Sequence, residues 1–410
     1  MSSKSESSKE SLLRRIETTL AKLEPEILRF RRHLHRNPEL SGKEIETTRF
    51  LAQCLDQEKI PHRIAQEGKG IITETFAGMP SAPVIAMRAD IDALPIQEEN
   101  SVDYRSAKPG VMHACGHDAH TAILLGTTIA LHQAGHLPVA WRSIFQPSEE
   151  TGHGALELVK QGAVNGVAAI VALHVDPNRP VGYLGLTPGP RTAFCQDFTV
   201  RVIGRGGHGA RPSTTVDPIA VAAQLVTLIY QAIPRQIDSR DPTVVTIGMI
   251  QGGQTHNVIP DSVTLKGTIR ALKDTVSEQA RLTLERLCRG TEQAFDASVS
   301  IDFSDLLRGM TNDPKVTEIC LSAARELVGA DRVATDDRPS MGGEDFADYL
   351  TQVPGCMVSL GVKRPGTGVT ALHTSGFDID ERALLIGARL LARILFRWPA
   401  DFGRTESKSC

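Results

Sequence analysis

Short apolar runs alternate with helical segments along this chain, and that alternation constrains its fold more than any other feature. "APVIAMRAD", "VAWRSIFQ", "AAIVALHV" and "CMVSLGV" each suit one buried strand and are too short for a helix. Between them lie helical patterns, "AHTAILLGTTIALHQAG" stopped by Gly135 and "GHGALELVKQG" stopped by Gly162. Strands alternating with helices predict an α/β layer on a mostly parallel sheet. A first helix is predicted over residues 9 to 36, with Ile16, Leu20, Leu23, Ile27 and Leu34 at helical spacing and "RNPEL" as its stop. "GKEIETTRFLAQCLDQEK" predicts a second, and residues 316 to 328 and "ERALLIGARLLARILFRW" two more.

From about Cys195 the rhythm changes. "DFTVRVIG", "TVVTIGMIQGG", "DSVTLKGTIRAL" and "SVSIDFS" read as strands, with helices "DPIAVAAQLVTLIYQAI" and "DTVSEQARLTLERLCRGTEQAF" between them. This β-α-β-β-α-β order predicts a four-stranded sheet covered by two helices, an α+β unit able to fold by itself. A chain of 410 residues exceeds one ordinary core. The expected organisation is an α/β domain over residues 11–192 and 306–400, interrupted by an inserted domain over 193–305. Residues 1–10 and 401–410 are expected to be a disordered leader and tail.

Composition removes several function classes. A net charge of −3 leaves no electrostatic footprint for nucleic acid or an acidic membrane. No apolar run reaches the roughly 18 residues of a spanning helix. "MSSKSESSKE" lacks the apolar segment of a secretory signal. Seven cysteines, scattered and without a CxxC pair, suit a reducing cytoplasm rather than a disulfide framework.

Chemistry concentrates where strands end. Ligands in open α/β sheets bind beyond the carboxyl ends of the strands. Asp90 follows "VIAMRA", Glu149 and Glu150 follow "WRSIFQPS", and His174 closes "AIVAL". Cys115 and His117 lie in "MHACGHDAH" at the entry to a helix, and His373 follows "CMVSLGV" after a glycine-rich loop. Each has a plainer reading alone: a buried thiol, a solvated acidic helix start, a histidine at a strand end. Jointly, the Cys115 thiolate, the imidazoles of His117, His174 and His373, and the Glu150 carboxylate form a donor set for Zn²⁺, Mn²⁺, Co²⁺ or Ni²⁺. These donors exceed what one open catalytic zinc needs, so two metal ions are expected. Glu149 can then act as general base and acid toward a metal-activated water, with Asp90 behind the ligands orienting a histidine.

The same stretches resemble the metal-dependent aminoacylase/carboxypeptidase amidohydrolases, in the branch of indole-acetyl-amino-acid hydrolases, hippurate hydrolase and N-acetyl-diaminopimelate deacetylase. The resemblance rests on "HLHRNPELSGKE", "MRADIDALPIQE", "MHACGHDAHTAILLG", "FQPSEETGHGA", "GRGGHGARP", "HNVIP", "GGEDFA" and "LHTSGFDIDE", spread over about residues 30 to 385. It implies the same ligand set, with Glu149 as acid/base and Asp90 as the second active-site residue. It also implies that the inserted domain is a lid and homodimer interface, whose His208, Asn257 and Arg270 contact the substrate amide oxygen and carboxylate. The expected reaction is hydrolysis of a small N-acyl amino acid to a carboxylic acid and a free amino acid, with the two domains closing to exclude water. His153, where relatives more often carry glycine, and the missing histidine after "GARP" bear on the acyl group accepted. Three alternatives stand beside this reading: a thiol amidase with Cys115 as nucleophile, a dipeptidase or carboxypeptidase of the same family, and a non-catalytic metal-holding protein. The histidines of "HLHRNPE" are expected to be structural.

Overall fold

The apolar runs form the centre of one sheet. In the computed structural model, which describes residues 2–76, 83–135, 137–399 and 402, Val84–Asp90 runs parallel to Ala140–Gln146 on one side and to Ala169–Pro180 on the other. Gly355–Lys363 lies parallel beyond Ala169–Pro180. Residues 85 to 90 are all buried, as a strand covered on both faces requires. His62–Ile64 and Ile71–Thr73 extend one edge antiparallel, and Leu184–Gly185 and Val333–Ala334 extend the other. Among the described residues this makes an eight-stranded sheet. The edge strands are too short to carry a readable period.

The His117–Ala134 helix is buried on all sides from His117 to Leu131, which marks a helix sunk into a core rather than lying on it. Its Ile123 and Leu124 join Met87, Trp141, Phe145, Val171 and Val358 in one apolar cluster. The first helix spans Ser2–Arg36, so the polar stretch expected to be a disordered leader is helical from Ser2. Serine, lysine and glutamate cost a helix little once the packed turns around Ile16 and Leu20 have nucleated it. Of the expected tail, residues 401 and 403–410 lie outside the described residues.

Buried charge fastens this unit together. Arg31 has no exposure; it donates to Asp118 Oδ2 at 2.8 Å, Asp378 Oδ1 at 2.8 Å and Glu381 Oε1 at 3.0 Å. His35, one turn on, lies 2.8 Å from Asp118 and 3.1 Å from Glu98. Burial opposes a charged ring at His35, yet the two carboxylates raise its pKa. The "HLHRNPE" histidines therefore have structural partners, with His33 stacked on Phe50 at 4.0 Å.

The second unit comprises Pro190–Met310 together with Arg338–Glu344. Its sheet runs Thr243–Gly252, Ser262–Ala271, Phe194–Ile203, Ser298–Phe303, all neighbours antiparallel. Helices Pro218–Gln236 and Asp274–Phe295 bury Leu225, Ile229 and Leu284 against Phe198, Val200 and Leu265. Asp217 caps the first of them by accepting from Ile219 N at 2.9 Å, ahead of a proline at the first turn. Arg338–Glu344, which the periodicity left with the α/β part, groups here: Ala193 N donates to Gly342 O at 3.0 Å, and Arg270 Nη1 to Met341 O at 2.9 Å.

Removing Arg31 takes away the buried cation that Asp118, Asp378 and Glu381 share, so Arg31→Ala is expected to cost about 3–5 kcal/mol of stability. Arg29→Ala, which breaks an exposed pair with Glu26 and a guanidinium contact over the Phe30 ring, is expected to cost about 0–1 kcal/mol. Denaturant unfolding of both variants checks the contrast.

Candidate metal centre

Each donor is carried to the sheet's carboxyl end by a local device. Asp90 ends Val84–Asp90, and Asp92 follows it. Glu149 and Glu150 occupy a turn after Ala140–Gln146. His174 lies two residues past Ala172, the last residue of its strand to pair with Val84–Asp90. Cys115 and His117 flank Gly116, whose φ of +83° suits glycine. A Cβ there would also come within 2.5 Å of Val175 Cγ2. His373 takes φ +60°, unusual for a side-chain-bearing residue. Its backbone N–H donates to Ala114 O at 2.9 Å, which pins it beside Cys115.

The five expected ligands converge. Cys115 Sγ is 3.5 Å from His174 Nε2 and 3.4 Å from His373 Nε2. Glu150 Oε1 is 3.5 Å from His373 Nε2 and 3.9 Å from His117 Nε2, and Glu149 Oε2 is 3.9 Å from His117 Nε2. Cys115, His117 and His174 form one group of mutually close donor atoms; Cys115, Glu150 and His373 form another; His117, Glu149 and Glu150 form a third. The thiol belongs to two of them.

Hydrogen bonds set which ring nitrogen faces inward. His174 Nδ1 donates to Val175 O at 2.8 Å, leaving Nε2 toward Cys115. His117 Nδ1 faces two acceptors, Asp92 O at 3.0 Å and Asp92 Oδ1 at 3.1 Å, so it carries the proton. His117 Nε2 and Glu150 Oε1 are then buried without a hydrogen-bond partner among the described residues. An orphaned buried polar atom costs about 1–3 kcal/mol. A divalent cation satisfies both, and a thiolate, imidazole and carboxylate set suits a borderline metal. The donors fit.

The electrostatics agree. Burial pushes the Glu150 carboxyl up to about 7. Burial likewise drives the Cys115 thiol far above its ordinary range, so without a cation beside it the sulfur stays protonated. Burial opposes charge on His117, but Asp90 and the Asp92 hydrogen bond raise its pKa well above normal. That pull for positive charge at His117 is the pull that would hold a metal.

Asp90 and Asp92 each hold a different histidine. The carboxylate behind His117 is Asp92, while Asp90 Oδ2 lies 3.7 Å from the inward-facing His117 Nε2. The histidine that Asp90 orients is His120, whose Nδ1 donates to Asp90 Oδ1 at 2.6 Å while its Nε2 accepts from Val175 N at 2.9 Å. Burial takes His120 down to about 4, so it stays neutral. Arg88 Nη1 also donates to Asp90 Oδ2, at 2.6 Å. Burial alone would raise Asp90, but His117, Arg88 and His120 hold it well below the carboxylate range. Asp92 and His120 stand inside motifs quoted above, and their even and threefold offsets from Asp90 and His117 were the available signal.

The remaining expected residues lie in the inserted unit. His208 pairs with Val258 in a short antiparallel ladder, and Gly209 N donates to Asn257 O at 2.9 Å, so His208 and Asn257 are neighbours. Ala210 N donates to His208 Nδ1 at 3.1 Å. Arg270 sits apart, near the end of Ser262–Ala271, tied to Met341 O and, at 3.6 Å, to Cys195 Sγ. His153 is exposed at the start of Gly154–Lys160.

A family model described as Peptidase family M20/M25/M40 matches residues 86–397. N-acetyl-L-cysteine deacetylase of Bacillus subtilis (strain 168) is 37% identical over 367 residues, covering 89% of this chain and 86% of that protein. IAA-amino acid hydrolase ILR1-like 4 of Arabidopsis thaliana is 32% identical over 374 residues, covering 90% and 84%. Among solved structures, the Bacillus subtilis YXEP protein, titled a dinuclear metal binding peptidase from M20 family, superposes with a TM-score of 0.80 at 33% identity, covering 92% of this chain and 98% of that one.

Because Asp92 fixes the His117 ring, Asp92→Ala is expected to weaken divalent-metal affinity about 10- to 100-fold. Competition against a chelator of known affinity measures this.

Proposed function

This chain belongs to peptidase family M20/M25/M40 and is a metal-dependent amidohydrolase, and we propose that it hydrolyses the amide bond of an N-acyl amino acid. The products are a carboxylic acid and a free amino acid. The observation that carries this reading is that Cys115, His117, Glu150, His174 and His373 fall in overlapping groups of close donor atoms, with the Glu149 carboxylate 3.9 Å from His117 Nε2 beside them.

Cys115, His117, Glu150, His174 and His373 would hold two divalent cations, drawn from zinc, manganese, cobalt or nickel. Bound there, such cations polarise an amide carbonyl and lower the pKa of water toward about 7. Glu149 takes the proton from the attacking water and returns it to the leaving nitrogen. Asp90 and Asp92 keep His120 and His117 in the required tautomers. In the inserted unit, the Ala210 N–H on His208 Nδ1 leaves Nε2–H as the donor, the form that stabilises a developing oxyanion. Arg270 supplies a guanidinium fork for the substrate carboxylate, and Asn257 an amide for its peptide-like bond. The same reading makes the chain a cytoplasmic homodimer joined through the inserted unit, with no nucleic-acid or membrane partner. Support comes from the edge strand Thr243–Gly252, which leaves Val244 and Ile250 exposed. No described helix is long and apolar enough to cross a membrane.

An activity screen over acetyl-, benzoyl- and indole-acetyl-amino acids and free dipeptides, with metal analysis on the same sample, tests the proposal. Acyl amino acids are expected to be cleaved faster than dipeptides. Chelator is expected to abolish turnover and Mn²⁺ or Zn²⁺ to restore it, whereas a Cys115 thiol amidase would survive chelation. Glu149→Gln is expected to lower kcat about 10²- to 10⁴-fold with metal content intact.

A further inference from the structure

The turn that carries Glu149 is conformationally costly. Ser148, directly before it, takes φ +59° and ψ +37° without being glycine. Such a residue costs about 1–3 kcal/mol and persists only where its surroundings over-determine it. Here the surroundings are carboxylates reaching in from distant chain. Glu44 Oε1 accepts from Ser148 N at 2.8 Å and from Ser148 Oγ at 3.3 Å. Asp92 Oδ2 accepts from Glu150 N at 3.0 Å. Two acidic side chains thus grip the backbone N–H groups on either side of Glu149.

Asp92 has an evident second task on His117; Glu44 reaches no other described side chain of the site by a hydrogen bond, and besides Ser148 its carboxyl group meets the backbone N–H groups of Gly42 and of Glu44 itself. It is fully buried, and its Oε2 has no hydrogen-bond partner among the described residues. It stands at the N-terminal boundary of Ile45–Gln57 and makes no side-chain capping bond there. Sinking a carboxyl group is unfavourable, and the long-range contact it makes in return, 104 residues along the chain, is with Ser148.

We propose that Glu44 is a positioning residue for hydrolysis, holding Ser148 in its left-handed turn and so aiming the Glu149 carboxylate. The proposal rests on Glu149 being the acid/base of the reaction. Burial pushes the Glu44 carboxyl up, but Oε1 accepts the Ser148 N–H whether or not Oε2 bears a proton. An amide oxygen would serve equally, which separates positioning from charge. Displacing a reacting group by about 1 Å can cost about 10²-fold in rate.

The test compares wild type, Glu44→Ala, Glu44→Gln, Glu44→Asp and Glu149→Gln as full-length, metal-loaded protein on the fastest substrate of the acyl-amino-acid screen. Glu44→Ala is expected to lower kcat about 10- to 100-fold, with KM and bound metal within about two-fold of wild type. Glu44→Gln is expected to recover kcat to within about three-fold. Glu44→Asp keeps the charge but withdraws the acceptor by one methylene; it is expected to lose kcat as the alanine variant does, and it carries the test should that variant fail to fold. A merely structural glutamate would lower the thermal midpoint while leaving kcat per metal-loaded molecule unchanged. Wild-type kcat in Glu44→Ala or Glu44→Asp beside an inactive Glu149→Gln would overturn this inference alone, as would Glu44→Gln being no better than alanine. Full activity in Glu149→Gln would overturn the functional reading and this inference together.

Discussion

Negative charge sunk at the carboxyl end of a parallel sheet must be matched by positive charge, and that requirement organises the α/β unit. Asp90 and Asp92 are buried and Glu150 nearly so, all within reach of His117. Arg88, itself fully buried, answers Asp90. Desolvating a carboxylate costs several kcal/mol even after relaxation, and one arginine cannot neutralise the whole group. The residual demand falls on His117 Nε2 and Glu150 Oε1, the atoms left without partners. Divalent cations meet that demand, and the Lewis acidity they bring is the chemistry an amide bond needs.

Precision around the centre comes from carboxylates acting on backbone as much as on side chains. Glu44, Asp92 and Asp345 accept from Ser148 N, Glu150 N and Ala155 N, so the chain is held before, within and after the Glu149 turn. Asp345 also accepts from Gln146 Nε2 at 2.8 Å, joining the end of the preceding strand to the same anchor. The "GGEDFA" motif thus has a physical role in fixing where the turn begins its helix. The Arg31–Asp118–His35 cluster does comparable work one residue from His117. Short-range backbone choices, such as left-handed Ser148 and His373, are tolerated because these long-range contacts leave no alternative.

What could be read from sequence divides along the same physical line. Apolar periodicity reports burial, so the central strands and the helices His117–Ala134, Pro218–Gln236 and Asp274–Phe295 were legible, as was the β-α-β-β-α-β insertion. It is silent on strands of two or three residues, on a polar helix start propagated from packed turns, and on Arg338–Glu344, which is held by backbone hydrogen bonds. Of the site, the convergence of Cys115, His117, Glu150, His174 and His373 was legible because strand ends and a glycine-containing loop predict where side chains point. Asp92 and His120 had only their offsets from Asp90 and His117 as a signal, and Glu44 and Asp345 had none, because pairing between buried polar groups far apart in the chain leaves no local pattern. Asp90 does hold a histidine, His120, which the sequence alone did not single out.

The central claim is that five side chains from five separate segments meet around two cations. Anomalous diffraction from crystals grown with Mn²⁺ or Zn²⁺ tests it most directly. The account predicts two strong peaks per chain, both among the Cys115, His117, Glu150, His174 and His373 donors. A single peak, or metal bound only at other residues while these five remain unliganded, would contradict it.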